Sequence, residues 1–116
     1  VSQRNREAHG QNLGLAVGAI TTAHVIEAFI YTLFFLWAVQ GLQIGTLEAS
    51  GPGSKDLSLM DYFYFSLINI TTLGLGDIYP TQHLRVIAGV EALTGFALIS
   101  CSAQLFWSMT KKGDKQ

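Results

Sequence analysis

Two long apolar segments dominate this chain and exclude most soluble folds. They run from about residue 20 to 43 and from about residue 83 to 109. At about 1.5 Å per helical residue, each is long enough to cross a hydrocarbon core of about 30 Å. Charged residues make up only 13% of the sequence, compared with roughly 25% in an average soluble domain. The sequence therefore predicts an all-α membrane protein in which two helices span the bilayer.

A third apolar segment, residues 58–70, is too short to span a membrane. A helix of about twelve residues is only about 18 Å long. Ser58 and Asp61 have the spacing of a capping box, which predicts that the helix starts there. A helix of this length is tolerated at membrane depth only as a re-entrant element surrounded by protein or water. The partial negative charge at its C-terminal end favours a cation beyond it.

The residues after this short helix alternate with glycine, in the order Thr71-Thr72-Leu73-Gly74-Leu75-Gly76-Asp77. Because glycine adopts positive φ at little cost, such a strand can turn successive carbonyl oxygens to one side. Several such strands around an axis form stacked oxygen rings that replace the hydration shell of a cation. We expect Leu73 and Leu75 to face away from the axis and pack into the protein. The alternative is a glycine turn between two membrane segments.

This segment resembles the selectivity filter of potassium channels, which usually has the order threonine-valine-glycine-tyrosine-glycine-aspartate. The resemblance extends from Ser58 to about Met109, and with the upstream helix the chain is similar to a bacterial two-transmembrane-helix channel. Leu73 replaces the usual valine. Leu75 replaces the usual tyrosine or phenylalanine, as in the second pore loop of some two-pore-domain potassium channels.

The resemblance implies passive conduction of K+ by a homotetramer embedded in lipid. One chain cannot enclose a pore, so four copies are expected to close a ring. No organic cofactor, nucleic-acid partner, small-molecule substrate or enzymatic reaction is expected. Two rival hypotheses remain: a weakly selective Na+/K+ channel, because Leu75 leaves the filter softer, and a non-conducting helical-hairpin scaffold or receptor subunit.

The candidate site combines the oxygen rings with the residues that the resemblance places around them. Backbone carbonyls are expected to coordinate K+, with the hydroxyl of Thr72 in the innermost ring, at Thr72, Leu73, Gly74, Leu75 and Gly76. Filter support is expected from Thr71, Asp77, Tyr64, Phe65 and Glu91. In the family, Asp77 hydrogen-bonds the pore-helix region, and Tyr64 and Phe65 match an aromatic pair that packs around the filter. Because Leu75 has no hydroxyl, we expect this pair to act through packing alone.

Glu91 places a charged residue type unusually deep in the second membrane helix. It lies six residues after Arg85, which is roughly 9 Å along a helix. An acidic side chain there is costly and is expected to face protein or water. One hypothesis is a hydrogen bond to the back of the pore helix or filter, toward Asn69. The other is that Glu91 reaches up to pair with Arg85 or His83.

The lower half of the second helix holds the gating candidates. Gly95 matches the mid-helix glycine at which inner helices of the family bend, and close packing is the alternative. The residues that follow at steps of three and four would share one stripe: Phe96, Ile99, Ala103 and Phe106. If the stripe faces the axis, it lines a cavity that gates by dewetting. If it faces the first helix, it is ordinary core.

Basic residues predict the orientation in the membrane. They lie before the first helix and after the second, at Arg4, Arg6, Lys111, Lys112 and Lys115, whereas only Lys55 and Arg85 fall between the helices. The positive-inside rule therefore places both termini in the cytoplasm of a cell-membrane protein. The predicted parts are a cytoplasmic or interfacial segment 1–19, a pore domain 20–110 and a cytoplasmic tail 111–116. Within the pore domain we expect an outer helix 20–43, turret 44–57, pore helix 58–70, filter 71–77 and inner helix 83–109.

An ionisable pair, His24 and Glu27, lies near the predicted start of the first membrane helix. Their i, i+3 spacing puts them on one face. Three hypotheses are open for this pair: pH sensing, anchoring at the inner interface, or helix pairing.

Overall fold

A computed structural model describes residues 2–53 and 56–114 of the chain. The elements follow in the order α1 (Ser2–Trp37), a short π-helix (Ala38–Leu42), β1 (Leu47–Ala49), α2 (Leu59–Ile70), β2 (Ile78–Pro80) and α3 (Leu84–Asp114). Two residues of the predicted turret, Ser54 and Lys55, and the last two residues of the predicted tail lie outside the described residues, as does Val1.

The first helix is longer than the apolar pattern predicts. The predicted outer helix begins at residue 20, whereas α1 begins at Ser2. The intervening residues contain no proline and are rich in strong helix formers such as arginine, glutamine, glutamate and alanine, so helix propensity continues where the apolar segment stops. At its other end α1 widens into the π-helix, which ends at Gln43 with a left-handed φ of 53°.

Two helices of the described part of the chain have the length and apolar composition of a membrane span. They cover Ser2–Leu42 and Leu84–Lys111. Many of their large apolar side chains are exposed on the single chain, including Ile26, Phe29, Ile30, Leu33, Val86, Val90 and Leu93. Such a surface is a liability in water but favourable against lipid or other copies of the chain.

The short helix α2 packs between the two long helices. Phe35 of α1 and Phe65 of α2 form an edge-to-face ring pair with centroids 5.4 Å apart. Leu84 and Ala88 at the start of α3 complete the same buried cluster. This small core fixes where α2 ends, and therefore where the glycine-alternating segment starts.

The capping box predicted at the start of α2 is confirmed. The backbone N–H of Asp61 donates to the Ser58 hydroxyl at 3.3 Å, and the Ser58 N–H donates to the Asp61 carboxylate at 2.8 Å. Two of the otherwise unpaired donors at the helix start are therefore satisfied.

A two-stranded antiparallel sheet adds to the predicted all-α architecture. Strands β1 and β2 pair Leu47 with Pro80 and Ala49 with Ile78. The register is extended by the side chains of Thr46 and Thr81, whose hydroxyls lie 2.8 Å apart. Three-residue strands leave little periodicity in a sequence, so the pattern does not predict them. The sheet ties the segment after Asp77 to the loop that follows α1.

Candidate functional site

The segment after α2 has the alternating backbone that the glycine pattern predicts. Positive φ occurs at Thr72 (64°), Gly74 (56°) and Gly76 (83°), but not at Leu73 or Leu75. Because positive φ alternates with negative φ along this segment, successive carbonyls can point to one side. Thr72 is the informative member, because a β-branched residue adopts positive φ only at an energetic cost.

Hydrogen bonds from the C-terminal end of α2 hold this strained backbone. The N–H of Thr72 donates to the Asn69 carbonyl and the N–H of Gly74 donates to the Ile68 carbonyl, each at 3.0 Å. The hydroxyl of Thr71 donates to the Leu67 carbonyl at 2.8 Å. Carbonyls that a helix end leaves unpaired are therefore used to fix the conformation of the next segment.

Leu73 and Leu75 are not packed against their own chain. Leu73 is 62% exposed and Leu75 is 60% exposed. All residues from Thr71 to Asp77 are exposed on the single chain, since α1, α2 and α3 meet on one side of this segment. Any packing of these two leucines must come from outside the chain.

Tyr64 supports the segment through a hydrogen bond, so the expectation that the aromatic pair acts through packing alone is wrong. The Tyr64 hydroxyl donates to the Asp77 carboxylate at 2.8 Å. The other Asp77 oxygen accepts from the backbone N–H of Ile78 at 3.1 Å. The carbonyl of Asp77 accepts from the N–H of Ser50 at 2.7 Å. Asp77 therefore connects α2, the glycine-alternating segment and the strand β1 region.

Phe65 has a different position from its aromatic neighbour. Its ring packs on Phe35 of α1 within the buried cluster. Consecutive helical residues point about 100° apart, so Tyr64 and Phe65 cannot both face the same surface. Phe65 therefore acts on the segment indirectly, by holding α2 against α1.

Glu91 is fully buried and contacts α2 rather than the upper part of its own helix. The Ser66 hydroxyl lies 3.1 Å from each carboxylate oxygen of Glu91. The side chain of Arg85 instead donates to the Gln82 carbonyl at 3.3 Å. Of the two hypotheses for Glu91, the structure places it against the pore helix, with Ser66 as its partner. The amide of Asn69 donates to the Ala88 carbonyl at 2.8 Å.

Ser66 was not among the residues predicted from the sequence, and Asn69 was named only as the residue toward which Glu91 would point. A signal was present, because the two polar residues lie at i, i+3 on an otherwise apolar helix and so share one face. That face is the one that α3 covers.

Gly95 lies directly against the end of α2. A Cβ at this position would overlap the carbonyl oxygen of Ile70 and come within 2.6 Å of the carbonyl carbon. The close-packing alternative therefore describes the environment of Gly95 in this structure, where α3 is continuous from Leu84 to Asp114. A bend at Gly95 stays a prediction.

The four gating candidates below Gly95 are all exposed on the single chain. Phe96 is 62% exposed. Ile99, Ala103 and Phe106 line a cavity of about 340 Å³ between α3 and α1. Both alternatives, a stripe that faces the axis and a stripe that packs on the first helix, stay predictions.

The His24–Glu27 pair forms within α1, well after the start of that helix at Ser2. His24 Nδ1 and Glu27 Oε2 are 3.1 Å apart. His24 lines a cavity with Ile70 and Thr71, so it lies level with the C-terminal end of α2. The hypotheses of pH sensing, interfacial anchoring and helix pairing stay predictions for this pair.

Replacing Tyr64 with phenylalanine tests the hydrogen bond to Asp77. We expect the variant to fold but to hold its filter segment less firmly, which would lower the K+/Na+ flux ratio severalfold.

The hydrogen bond to Asp77 raises the pKa of Tyr64 above its ordinary value of about 10. Any stabilisation by this phenol is therefore complete below pH 10 and disappears as the pH rises through the raised pKa. Ultraviolet titration of the phenolate in the wild type and in Tyr64→Phe measures the pKa of Tyr64. A titration at the ordinary pKa would contradict this prediction.

The chain matches known proteins over most of its length. A protein-family model described as "Ion channel" matches residues 19–112. Potassium channel K2 of Plasmodium falciparum (isolate 3D7) is 30% identical over 73 residues, which cover 63% of this chain and 5% of that protein. Potassium channel K2 of Plasmodium berghei (strain Anka) is 40% identical over 62 residues, or 53% of this chain and 4% of that protein.

A third relative is the potassium voltage-gated channel protein shk-1 of Caenorhabditis elegans. It is 28% identical over 88 residues, which cover 72% of this chain and 16% of that protein. The chain thus spans only a small part of these curated relatives. No solved structure matches it. Because the family model covers most of its residues, this protein belongs to the ion channel family.

Proposed function

We propose that four copies of this chain form a potassium-selective pore that conducts K+ passively through backbone carbonyls. The observation that carries the proposal is the alternating positive φ at Thr72, Gly74 and Gly76. Such alternation allows the carbonyls from Thr72 to Gly76 to turn toward one side, where four copies would create stacked rings of oxygens. Such rings replace the hydration shell of a permeating cation.

The exposure of the segment supports assembly into a ring. Leu73 and Leu75 are largely exposed, and a neighbouring copy would cover them while the carbonyls face the axis. A ring with closed symmetry is the usual way for identical chains to surround one pore. The end of α2 contributes in the same direction, because its partial negative charge favours a cation at the inner end of the filter.

Potassium is the proposed ion because the similar proteins of Plasmodium and Caenorhabditis elegans are named potassium channels. The hydrogen bond from Tyr64 to Asp77 supports a rigid filter. This bond partly replaces the support that the family usually obtains from an aromatic residue at the position of Leu75. We place the filter at the outer side, α2 as the re-entrant pore helix, and both termini in the cytoplasm of a cell membrane. We also propose that the protein has the architecture of a bacterial channel with two transmembrane helices per chain.

Ion flux from reconstituted protein tests the proposal. Purified protein in liposomes loaded with K+ is expected to release it faster than it releases Na+ from matched liposomes, and protein-free liposomes give the background. Equal release of K+ and Na+ would favour the weakly selective cation channel. No release above background, with the protein correctly inserted, would favour a non-conducting scaffold.

A further inference from the structure

We infer that Ser66, Asn69 and Glu91 are positioning residues that set the ion selectivity of the filter from behind. We call these three residues the α2–α3 clamp. The inference rests on the proposed function, because it concerns the ions that the proposed filter passes. It adds a mechanism by which a helix that does not touch the ion determines the filter geometry.

The clamp joins α2 to α3 by polar contacts in a buried interface. The Ser66 hydroxyl lies 3.1 Å from both oxygens of Glu91, and both residues are fully buried. One turn later, the Asn69 amide donates to the Ala88 carbonyl at 2.8 Å. Removing one partner of a buried hydrogen bond costs much more folding free energy than the bond contributes when both partners are present. These contacts therefore define one relative position of the two helices.

The clamp acts at the start of the strained backbone. The carbonyl of Asn69 accepts from the N–H of Thr72 at 3.0 Å, while the side chain of the same residue is bound to α3. Thr72 is the residue at which a β-branched side chain is held at positive φ. A shift of Asn69 would therefore move the first carbonyl ring directly.

The contacts of Glu91 indicate that it acts as a hydrogen-bonding group and not through its charge. Its hydrogen-bond partners, the Ser66 hydroxyl and the Asn69 amide, are neutral, and it forms no ion pair with another residue of the described part of the chain. A carboxylate without a cationic partner is costly inside a membrane helix. Glutamine offers an oxygen that accepts from Ser66, whereas leucine offers none. The conservative variant should therefore restore what the apolar variant removes.

A matched control exists in a contact between α1 and α3. The Tyr31 hydroxyl of α1 donates to the Thr94 hydroxyl at 3.4 Å. This contact also joins two long helices by a side-chain hydrogen bond, but it does not involve α2. Tyr31→Phe removes it, so the variant separates a general loss of helix packing from a specific loss of filter position.

The experiment compares Glu91→Gln, Glu91→Leu, Ser66→Ala, Asn69→Ala and Tyr31→Phe in reconstituted protein. The readouts are the K+/Na+ flux ratio and the shift in thermal midpoint between K+ and Na+ buffers. We expect Ser66→Ala, Asn69→Ala and Glu91→Leu to lower the flux ratio by roughly two- to tenfold, the factor that one buried hydrogen bond contributes to an equilibrium. Glu91→Gln is expected to retain the wild-type ratio, and Tyr31→Phe to change only the thermal midpoint.

Unchanged flux ratios in both Ser66→Ala and Asn69→Ala would overturn the inference, even if Glu91→Leu fails to fold. A Tyr31→Phe variant with an equal loss of selectivity would also overturn it, because any helix contact would then suffice. Failure of the proposed function is distinguishable, since wild-type protein would then release no ion above background or release K+ and Na+ equally.

Discussion

Replacing Gly95 with alanine is expected to prevent correct folding or assembly. The added Cβ would overlap the carbonyl oxygen of Ile70 and lie 2.9 Å from the Ile70 side chain. The obstacle is backbone, at the end of α2, so no rotamer change relieves it. Overpacking of this kind typically costs 1–3 kcal/mol, and we expect about 3 kcal/mol or more because two backbone segments must separate. Thermal unfolding in detergent and the yield of assembled protein measure the effect.

Gly89 provides the matched control for Gly95. It lies in the same helix, and nothing would lie within 4 Å of a Cβ added there. Gly89→Ala is therefore expected to be neutral or to stabilise α3 by up to about 1 kcal/mol, through helix propensity. A Gly95→Ala variant that assembles like Gly89→Ala but conducts differently would contradict the packing account and favour the hinge predicted from the family resemblance.

Replacing Gly74 with alanine is expected to abolish selective conduction while leaving the chain folded. Gly74 has φ of 56°, and nothing in the chain would contact an added Cβ. Alanine at positive φ costs roughly 1–2 kcal/mol, which is enough to shift the backbone but small beside the packing of three helices. We expect K+ release from liposomes to fall to background or to lose its preference for K+, with little change in the thermal midpoint.

Gly51→Ala is the control for this loss of conduction. Gly51 also has positive φ, 124°, and also has open space around it, but it lies in the loop between β1 and α2. The same kind of backbone strain is therefore introduced away from the filter, and K+ conduction is expected to persist. Normal K+ selectivity in Gly74→Ala would show that the carbonyls of this segment do not coordinate the ion.

The features predicted well from sequence are those set by local chemistry. The capping box follows from the spacing of Ser58 and Asp61, and the two membrane-length helices follow from apolar length alone. The positive φ of Gly74 and Gly76 follows from the freedom of glycine. Each of these depends on residues within a few positions of one another.

The features missed depend on which surfaces meet in space. Sequence analysis placed Glu91 at a costly depth but could not choose its partner, since Ser66 is 25 residues away. It recognised Tyr64 as part of an aromatic pair, yet the useful group is the hydroxyl, which reaches Asp77. Helix propensity also extends α1 beyond its apolar segment, and the packing of the helices places His24 beside Ile70 and Thr71 at the end of α2.

A structure of the assembled protein, determined in a lipid environment with K+ present, tests the central claim most directly. The account predicts four copies around one axis, with ion density between carbonyl rings formed by residues 72–76 and with Leu73 and Leu75 covered by neighbouring chains. An assembly of another order, or one in which these carbonyls point away from the axis and carry no ion density, would contradict it.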